Sequence, residues 1–193
     1  MKRQLLMVTL AGALCVATAT AASAQDEGYT VGHTDFGPVI GLGGLGGADI
    51  AIGGRFEKAI KQLPDLGNGI IGIQASVDWY SFDQRFLGFG SSFGYTYVPI
   101  SVIANYHFQI QTNKKWDPFV GIGLGYQRVS YDCEINGIDY CDDDLYGGGD
   151  YGSGLYFVGR VGVRYFWRPR LALYADAGAG AANLHVGVMY KFR

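Results

Sequence analysis

The last ten residues of the chain alternate between two chemical types. Apolar side chains occupy every second position: Leu184, Val186, Val188, Tyr190 and Phe192. The positions between them hold His185, Gly187, Met189, Lys191 and Arg193. Because successive side chains of a β-strand point to opposite faces, this period predicts a strand with one apolar face and one more polar face. A chain made of such strands folds as a sheet or barrel that covers its apolar faces with protein or lipid.

The same alternation occurs in seven earlier segments. Together with the last segment they predict strands over Phe36–Leu45, Asp49–Phe56, Ile70–Phe82, Tyr95–Phe108, Pro118–Tyr131, Leu155–Phe166, Leu171–Ala179 and Leu184–Arg193. Their length is close to the roughly 9 to 11 residues that a tilted strand needs to cross a bilayer. We therefore predict an all-β fold, an eight-stranded antiparallel up-and-down transmembrane β-barrel, in which the last strand pairs with the first.

A soluble barrel of the lipocalin type is the structural alternative. It has apolar side chains inside and polar side chains outside, and the alternation alone does not say which face points inward. The recurrence of Gly, Asp and Arg on the polar face and the aromatic strand ends favour the membrane barrel. The composition agrees, with 31 glycines and only 17% charged residues, which is typical of close-packed strands rather than helices. The net charge of −2 argues against a nucleic-acid partner.

The N-terminus has the features of an export signal. Lys2 and Arg3 precede an apolar run from Leu5 to Val16, and Ala22-Ser23-Ala24 forms an A-x-A cleavage site. We therefore predict a signal peptide over residues 1–24 and a barrel domain over residues 25–193. A membrane-spanning anchor is the weaker alternative, because the apolar run is shorter than the roughly 20 residues that a spanning helix needs.

An even number of strands places both termini on one side of the membrane, which for an exported barrel is the periplasm. Periplasmic turns are then predicted at Glu57–Asn68, Gln111–Asp117 and Trp167–Arg170, and extracellular loops at Gly46–Ala48, Asp83–Gly94, Asp132–Gly154 and Gly180–Asn183. This topology sorts charge by side. Basic residues gather at the periplasmic end: Lys58, Lys61, Lys114, Lys115, Arg168, Arg170, Lys191 and Arg193. Acidic residues gather in one outer loop: Asp132, Glu134, Asp139, Asp142, Asp143, Asp144 and Asp150.

Two consecutive segments carry a family resemblance. Tyr97–Phe108 contains a P-I-S-V strand that ends on aromatic residues, and after a short turn Trp116–Tyr126 reads W-D-P-F-V-G-I-G-L-G-Y. With the terminal strand, this pattern resembles the small bacterial outer-membrane β-barrel superfamily, which includes OmpA-like, OmpX-like and OmpW-like barrel domains. The resemblance implies the fold and a location in the outer membrane, and it implies no single function.

Four charged residues fall on predicted inward faces: Asp78, Arg160, Arg164 and Asp176. The interior of an eight-stranded barrel is only just wide enough for side chains. Since an unpaired buried charge is strongly unfavourable, we predict a lumen polar network in which these charges compensate one another. A narrow polar pore or gate is the functional alternative.

Histidine is sparse, with His33 before the first strand, His107 near the periplasmic end of the fourth and His185 near the outer end of the eighth. Some eight-stranded barrels are lipid A acylases or deacylases, which use a His with a Ser and a carboxylate. No Ser is placed by the sequence next to His185, so no catalytic residue is predicted. An enzyme that modifies lipid A is the weakest of the alternatives.

The outer loop between the fifth and sixth strands holds Cys133 and Cys141. Exported proteins meet an oxidising compartment, so we predict a disulfide between them. The loop also carries the carboxylates Asp142, Asp143, Asp144 and Asp150. A solvated acidic tip is the preferred interpretation. A Ca²⁺ or Mg²⁺ ion bridging the carboxylates to lipopolysaccharide phosphates is the alternative.

Taken with the predicted fold, these features favour an integral outer-membrane protein without catalysis, whose role is structural or is an interaction or adhesion through Asp83–Gly94 and Asp132–Gly154. A narrow porin for small solutes is the alternative, although eight strands leave little bore. No cofactor and no metal centre are predicted. The expected partners are outer-membrane lipid and lipopolysaccharide, the barrel-assembly machinery during insertion, and an extracellular ligand at the outer loops.

Overall fold

The computed structural model describes residues 28–85, 91–110, 112–135, 138–139 and 152–192. The elements in chain order are β1 (Thr34–Leu42), β2 (Ile50–Leu63), a 3-10 helix (Pro64–Leu66), β3 (Gly69–Arg85), β4 (Ser91–His107), β5 (Trp116–Ile135), β6 (Ile138–Asp139), β7 (Gly154–Arg168), β8 (Leu171–Ala179) and β9 (Leu184–Lys191). In this part of the chain, no helix is both long enough and apolar enough to span a membrane.

Eight of these strands form one closed barrel. Every neighbouring pair is antiparallel. The strand order is β4-β3-β2-β1-β9-β8-β7-β5, and the pairing of β4 with β5 joins the two ends of this order. The first strand pairs with the last, from Asp35 opposite Lys191 to Leu42 opposite Leu184. β6 only extends the end of β5 by two residues. The predicted eight-stranded antiparallel up-and-down barrel and its closing pair are therefore confirmed.

The seam between β1 and β9 is interrupted at Gly37 and Pro38, which have no paired residue on β9. Proline has no backbone N–H and cannot donate to a strand ladder. The pairing resumes at Val39, opposite Gly187. The closing seam is therefore the place where the barrel has the fewest regular backbone contacts.

The apolar face of each strand points outward. Phe157 is 83% exposed and Ile122 is 76% exposed, whereas Arg164, Glu57 and His107 are completely buried inside. In water, this arrangement would expose most of the apolar surface and bury most of the charge, which is the reverse of a soluble barrel. In a bilayer, lipid chains cover the outside and paired side chains fill the inside. The lipocalin alternative is therefore excluded.

Several strands extend beyond their predicted ends. β2 continues through the predicted turn at Glu57–Asn68 as far as Leu63, with a bulge between Ala59 and Lys61, so that the connection is only Pro64–Asn68. The predicted turn at Gln111–Asp117 is likewise shorter, because β5 begins at Trp116. Two charged residues of these predicted turns, Glu57 and Asp117, are therefore strand residues that are buried in the lumen.

At the opposite end, three neighbouring strands run past the rest of the barrel. β2 pairs with β3 only as far as Trp79, and β7 pairs with β5 only as far as Gln127. Beyond these points β3, β4 and β5 pair with one another alone, as far as Arg85, Ser91 and Ile135. We call this extension the projecting sheet. The predicted loops Asp83–Gly94 and Asp132–Gly154 therefore begin with continued strand.

Candidate functional site

The two ends of the barrel differ in their connections. At the turn end, short segments join β2 to β3, β4 to β5 and β7 to β8, and both ends of the described chain lie there. At the loop end, Gly43–Asp49 joins β1 to β2, Gly180–Asn183 joins β8 to β9, and the connections at 86–90 and 136–153 continue from the projecting sheet. That the turn end faces the periplasm stays a prediction.

A cluster of buried charges, the turn-side cluster, lies around Arg164. The guanidinium contacts Asp35 (Nη1 to Oδ2, 3.1 Å), Asp117 (Nη1 to Oδ2, 3.7 Å) and the Oε2 atom of Glu57. Its carbon lies 5.5 Å from the ring centre of Phe119. All three carboxylates are almost completely buried, so Arg164 is the group that makes their burial tolerable.

His107 supplies the second positive group of the turn-side cluster. Its Nε2 lies 2.7 Å from Glu57 Oε1 and its Nδ1 lies 2.9 Å from Asp117 Oδ1. A histidine can donate from both ring nitrogens only as the imidazolium ion. Asn105 is a further hydrogen-bond donor to the Glu57 carboxylate, from Nδ2 to Oε2 at 2.9 Å. Each oxygen of Glu57 thus has at least one strong donor.

The segment that precedes β1 folds into the turn end and closes it. The Tyr29 ring stacks on His107 with 3.6 Å between ring centres, and its hydroxyl donates to Glu57 Oε1 at 2.9 Å. Burial, reinforced by the Glu57 carboxylate, raises the pKa of the Tyr29 phenol, which therefore stays a donor. Ala59 N–H donates to His33 O at 2.8 Å and holds the segment against β2. We call Gly28–His33 the N-terminal plug.

A second charged group, the loop-side cluster, lies in the lumen nearer the loop end. Arg55 pairs with Asp78 (Nη1 to Oδ1, 3.0 Å), and Arg160 pairs with Asp176 (Nε to Oδ1, 3.1 Å). His185 Nδ1 lies 3.0 Å from the same oxygen of Asp176. The five residues surround much of a cavity of ≈ 10 Å³, which is about the room that one water molecule needs.

Apolar side chains fill the rest of the lumen. One cluster adjoins Arg164 and consists of Val39, Phe119, Phe166, Ala172, Tyr174 and Met189. Another closes the loop end, where Leu45 packs with Ala51, Tyr80 and Ala182. Leu45 is only 2% exposed although it lies in a connection between strands. The lumen is thus stoppered by Leu45 at one end and by the N-terminal plug at the other.

The four residues of the predicted lumen network are divided between the two clusters. Asp78, Arg160 and Asp176 belong to the loop-side cluster, and Arg164 to the turn-side cluster. The sequence analysis missed the remaining charged partners: Asp35, Arg55, Glu57, His107, Asp117 and His185. The alternation of Arg55, Glu57 and Ala59, which are all buried along β2, was the signal that could have found Arg55 and Glu57. Asp35 and Asp117 were missed because each lies one residue before the start of a predicted strand.

Several predictions fall on residues outside the described part of the chain. These are the signal peptide at residues 1–24, the side chains of Cys133 and Cys141, and the carboxylates Asp142, Asp143, Asp144 and Asp150. The disulfide and the cation-binding loop therefore stay predictions. Within the described ranges, no three His, Cys, Asp or Glu side chains are grouped in a way that could hold a metal ion.

Comparisons with known proteins bear on the fold. No family model and no curated protein matches this chain. The crystal structure of the outer membrane protein OprG from Pseudomonas aeruginosa matches with a TM-score of 0.52 at 13% identity, over 88% of this chain and 100% of that one. The N-terminal β-barrel domain of OprF from the same organism matches with a TM-score of 0.47 at 12% identity, over 84% of this chain and 98% of that one.

At such identities the likeness to OprG shows the fold alone. It agrees with the closed, antiparallel order of the strands. The chain is an eight-stranded antiparallel transmembrane β-barrel with the fold of the small bacterial outer-membrane barrels.

Proposed function

We propose that the protein resides in the outer membrane as a closed barrel, presents its loop end to the outside, and acts there as a structural or interaction protein without transporting solutes. The observation that carries this proposal is the filled lumen. A solute would have to displace Leu45 at the loop end, the apolar cluster around Phe119 and the N-terminal plug at the turn end. The charges between these obstacles are engaged with one another.

The projecting sheet supports an interaction role at the loop end. The side that continues the lumen face carries stacked rings: Tyr80 on Tyr97 (4.9 Å between centres) and Phe82 on Tyr95 (5.3 Å). Such stacks stiffen a surface that extends beyond the barrel. A rigid scaffold that holds loops away from the membrane is typical of surfaces that contact other molecules.

The arrangement around His185 argues against catalysis in the lumen. The imidazole is 1% exposed and lies between Asp176 and Arg160. A nucleophilic site needs a serine or an equivalent group within hydrogen-bond reach and a path for the substrate. The contacts that His185 makes in the described chain are with charged partners of the loop-side cluster. We therefore assign His185 a structural role.

Single-channel recording in planar bilayers tests the closed lumen. We expect no reproducible conductance steps from the purified barrel, because Leu45 and the N-terminal plug close the two ends of the lumen. A general porin inserted in the same bilayers is the positive control. Uniform steps that appear with each insertion event would instead support the narrow porin and contradict the proposal.

Surface labelling tests which end faces outward. In a background with Cys133→Ser and Cys141→Ser, cysteine is introduced at Asp83 in the projecting sheet or at Lys115 at the turn end. On intact cells a membrane-impermeant maleimide should label the D83C variant, while the K115C variant should react only after lysis. Both positions are exposed in the barrel, so the matched variant controls for reactivity. Labelling of the K115C variant alone would reverse the proposed orientation.

A further inference from the structure

Four exposed cations form a patch at the turn end. The roles proposed above for the lumen and for the loop end do not involve them. Lys114 and Lys115 lie in the connection from β4 to β5, and Arg168 and Arg170 lie at the connection from β7 to β8. The two connections are neighbours, because β5 pairs with β7 at Trp116 opposite Tyr165. Phe166 N–H also donates to Lys115 O at 2.8 Å. We call these four residues the basic patch.

The charges of the basic patch are not paired with acids of the described barrel. Asp117, the carboxylate closest to it in sequence, is 2% exposed and engaged by His107 and Arg164 in the lumen. No side chain of the patch is in an ion pair with any carboxylate that the structure describes. The exposed acid Asp65 lies on the connection from β2 to β3, which adjoins the connection that carries Lys114 and Lys115 but not the one at Arg168 and Arg170. The patch therefore presents an uncompensated positive field to whatever faces it.

Aromatic residues fix the height of the patch relative to the bilayer. Trp116 directly follows Lys115 and Trp167 directly precedes Arg168, and the two indoles are 44% and 38% exposed. The rings of Trp116 and Tyr165 lie 4.8 Å apart. Tryptophan and tyrosine on the outer wall of a membrane barrel lie at the level of the lipid headgroups. The adjoining cations are therefore at the level of headgroup phosphates rather than in bulk solvent.

We propose that the basic patch binds the phosphate groups of anionic phospholipids. Arginine and lysine are suited to phosphate, the guanidinium through paired N–H donors and the ammonium as a compact charge. An anionic headgroup presents this phosphate without the neighbouring cation of a zwitterionic one. The proposal concerns the turn end and does not depend on what the loop end contacts.

Tryptophan quenching by brominated lipid tests the proposal within one molecule. The Trp79→Phe variant keeps Trp116 and Trp167 beside the patch. The double variant Trp116→Phe, Trp167→Phe keeps only Trp79, which lies opposite Ile52 toward the loop end and is 46% exposed. Each is reconstituted in vesicles of equal phosphatidylglycerol and phosphatidylcholine, with bromine on the chains of one lipid or the other.

At the patch we expect phosphatidylglycerol to be preferred about five-fold over phosphatidylcholine, and at Trp79 we expect no preference. The preference at the patch should weaken toward none in about 0.5 M salt, where surface charges are screened within a few ångströms. Replacing all four patch residues with glutamine in the Trp79→Phe background should abolish it. Lys58→Gln with Lys61→Gln, which removes exposed charge from β2, should leave it in place.

Equal quenching by the two lipids at the patch would overturn the proposal, as would an equal preference at Trp79. Persistence of the preference in the glutamine variant would also overturn it. If that variant fails to insert, the salt dependence and the comparison with Trp79 still test the proposal, because both are measured on barrels that keep the four patch residues. Sedimentation of the barrel with purified peptidoglycan, without any lipid preference, would assign the patch to a cell-wall polymer instead.

Discussion

Replacing Arg164 with methionine is expected to lower the free energy of unfolding by about 3–5 kcal/mol, the loss typical of removing one partner from a buried ionic cluster. Methionine keeps much of the length and volume of the side chain but leaves the carboxylates of Asp35 and Glu57 without their main cation. Urea unfolding of the barrel in zwitterionic vesicles, followed by tryptophan fluorescence, measures the loss. Arg164→Lys should recover part of it, because the charge remains while the fork of donors does not.

Two comparisons distinguish loss of charge compensation from general damage. Arg128→Ala removes an exposed arginine of β5 and should change the stability by no more than about 0.5 kcal/mol. Glu57→Gln combined with Arg164→Met should be less damaging than the sum of the two single variants, since one carboxylate fewer is left unpaired. Strictly additive losses would show that Arg164 does not act by compensating Glu57.

Replacing Gly37 with alanine is expected to destabilise the closing seam by about 3 kcal/mol or more, at the upper end of the losses caused by overpacking. A Cβ atom on Gly37 would lie 1.8 Å from the carbonyl oxygen of Val188 on β9. That oxygen belongs to the backbone, so it cannot rotate away as a side chain can. The seam is already interrupted at this point by Pro38, and relief of the clash requires β1 and β9 to separate.

Heat-modifiable migration on detergent gels reports the effect, because a closed barrel resists unfolding by detergent until it is heated. Gly37→Ala should reduce the fraction of the fast-migrating closed form. Gly159→Ala on β7 is the matched control, since its new methyl group would meet nothing within 4 Å. If both variants closed equally well, the tight approach at Gly37 would not limit closure.

The alternation in the sequence was sufficient to predict the number and order of the barrel strands, and the Gly, Asp and Arg residues of the polar face indicated which face points inward. A period of two survives in every strand because lipid demands an apolar outer face, whatever fills the inside. Strand ends were less predictable. Lys58 lies on the outer face of β2 near the turn end. A charged residue on the lipid-facing side breaks the apolar alternation and so predicts a loop, although the strand continues past it.

The pairing of charges in the lumen could not be predicted from the sequence. Neighbours in the turn-side cluster come from β1, β2, β4, β5 and β7, so they depend on the register between strands and on the tilt of the closed barrel. The N-terminal plug was also missed, because Tyr29 lies before any alternating segment. Its contact with Glu57 exists only when a segment outside the strands turns back into the lumen.

The contacts of the N-terminal plug have a consequence for how the barrel is completed. Tyr29 contacts groups on β2, β4 and β7, and Lys191 Nζ, at the end of β9, donates to Gly28 O at 3.4 Å. These groups are distant from one another in an open sheet and meet only once β1 and β9 have joined. The full set of contacts therefore exists only in the closed barrel, and protection of the segment from protease should report that closure.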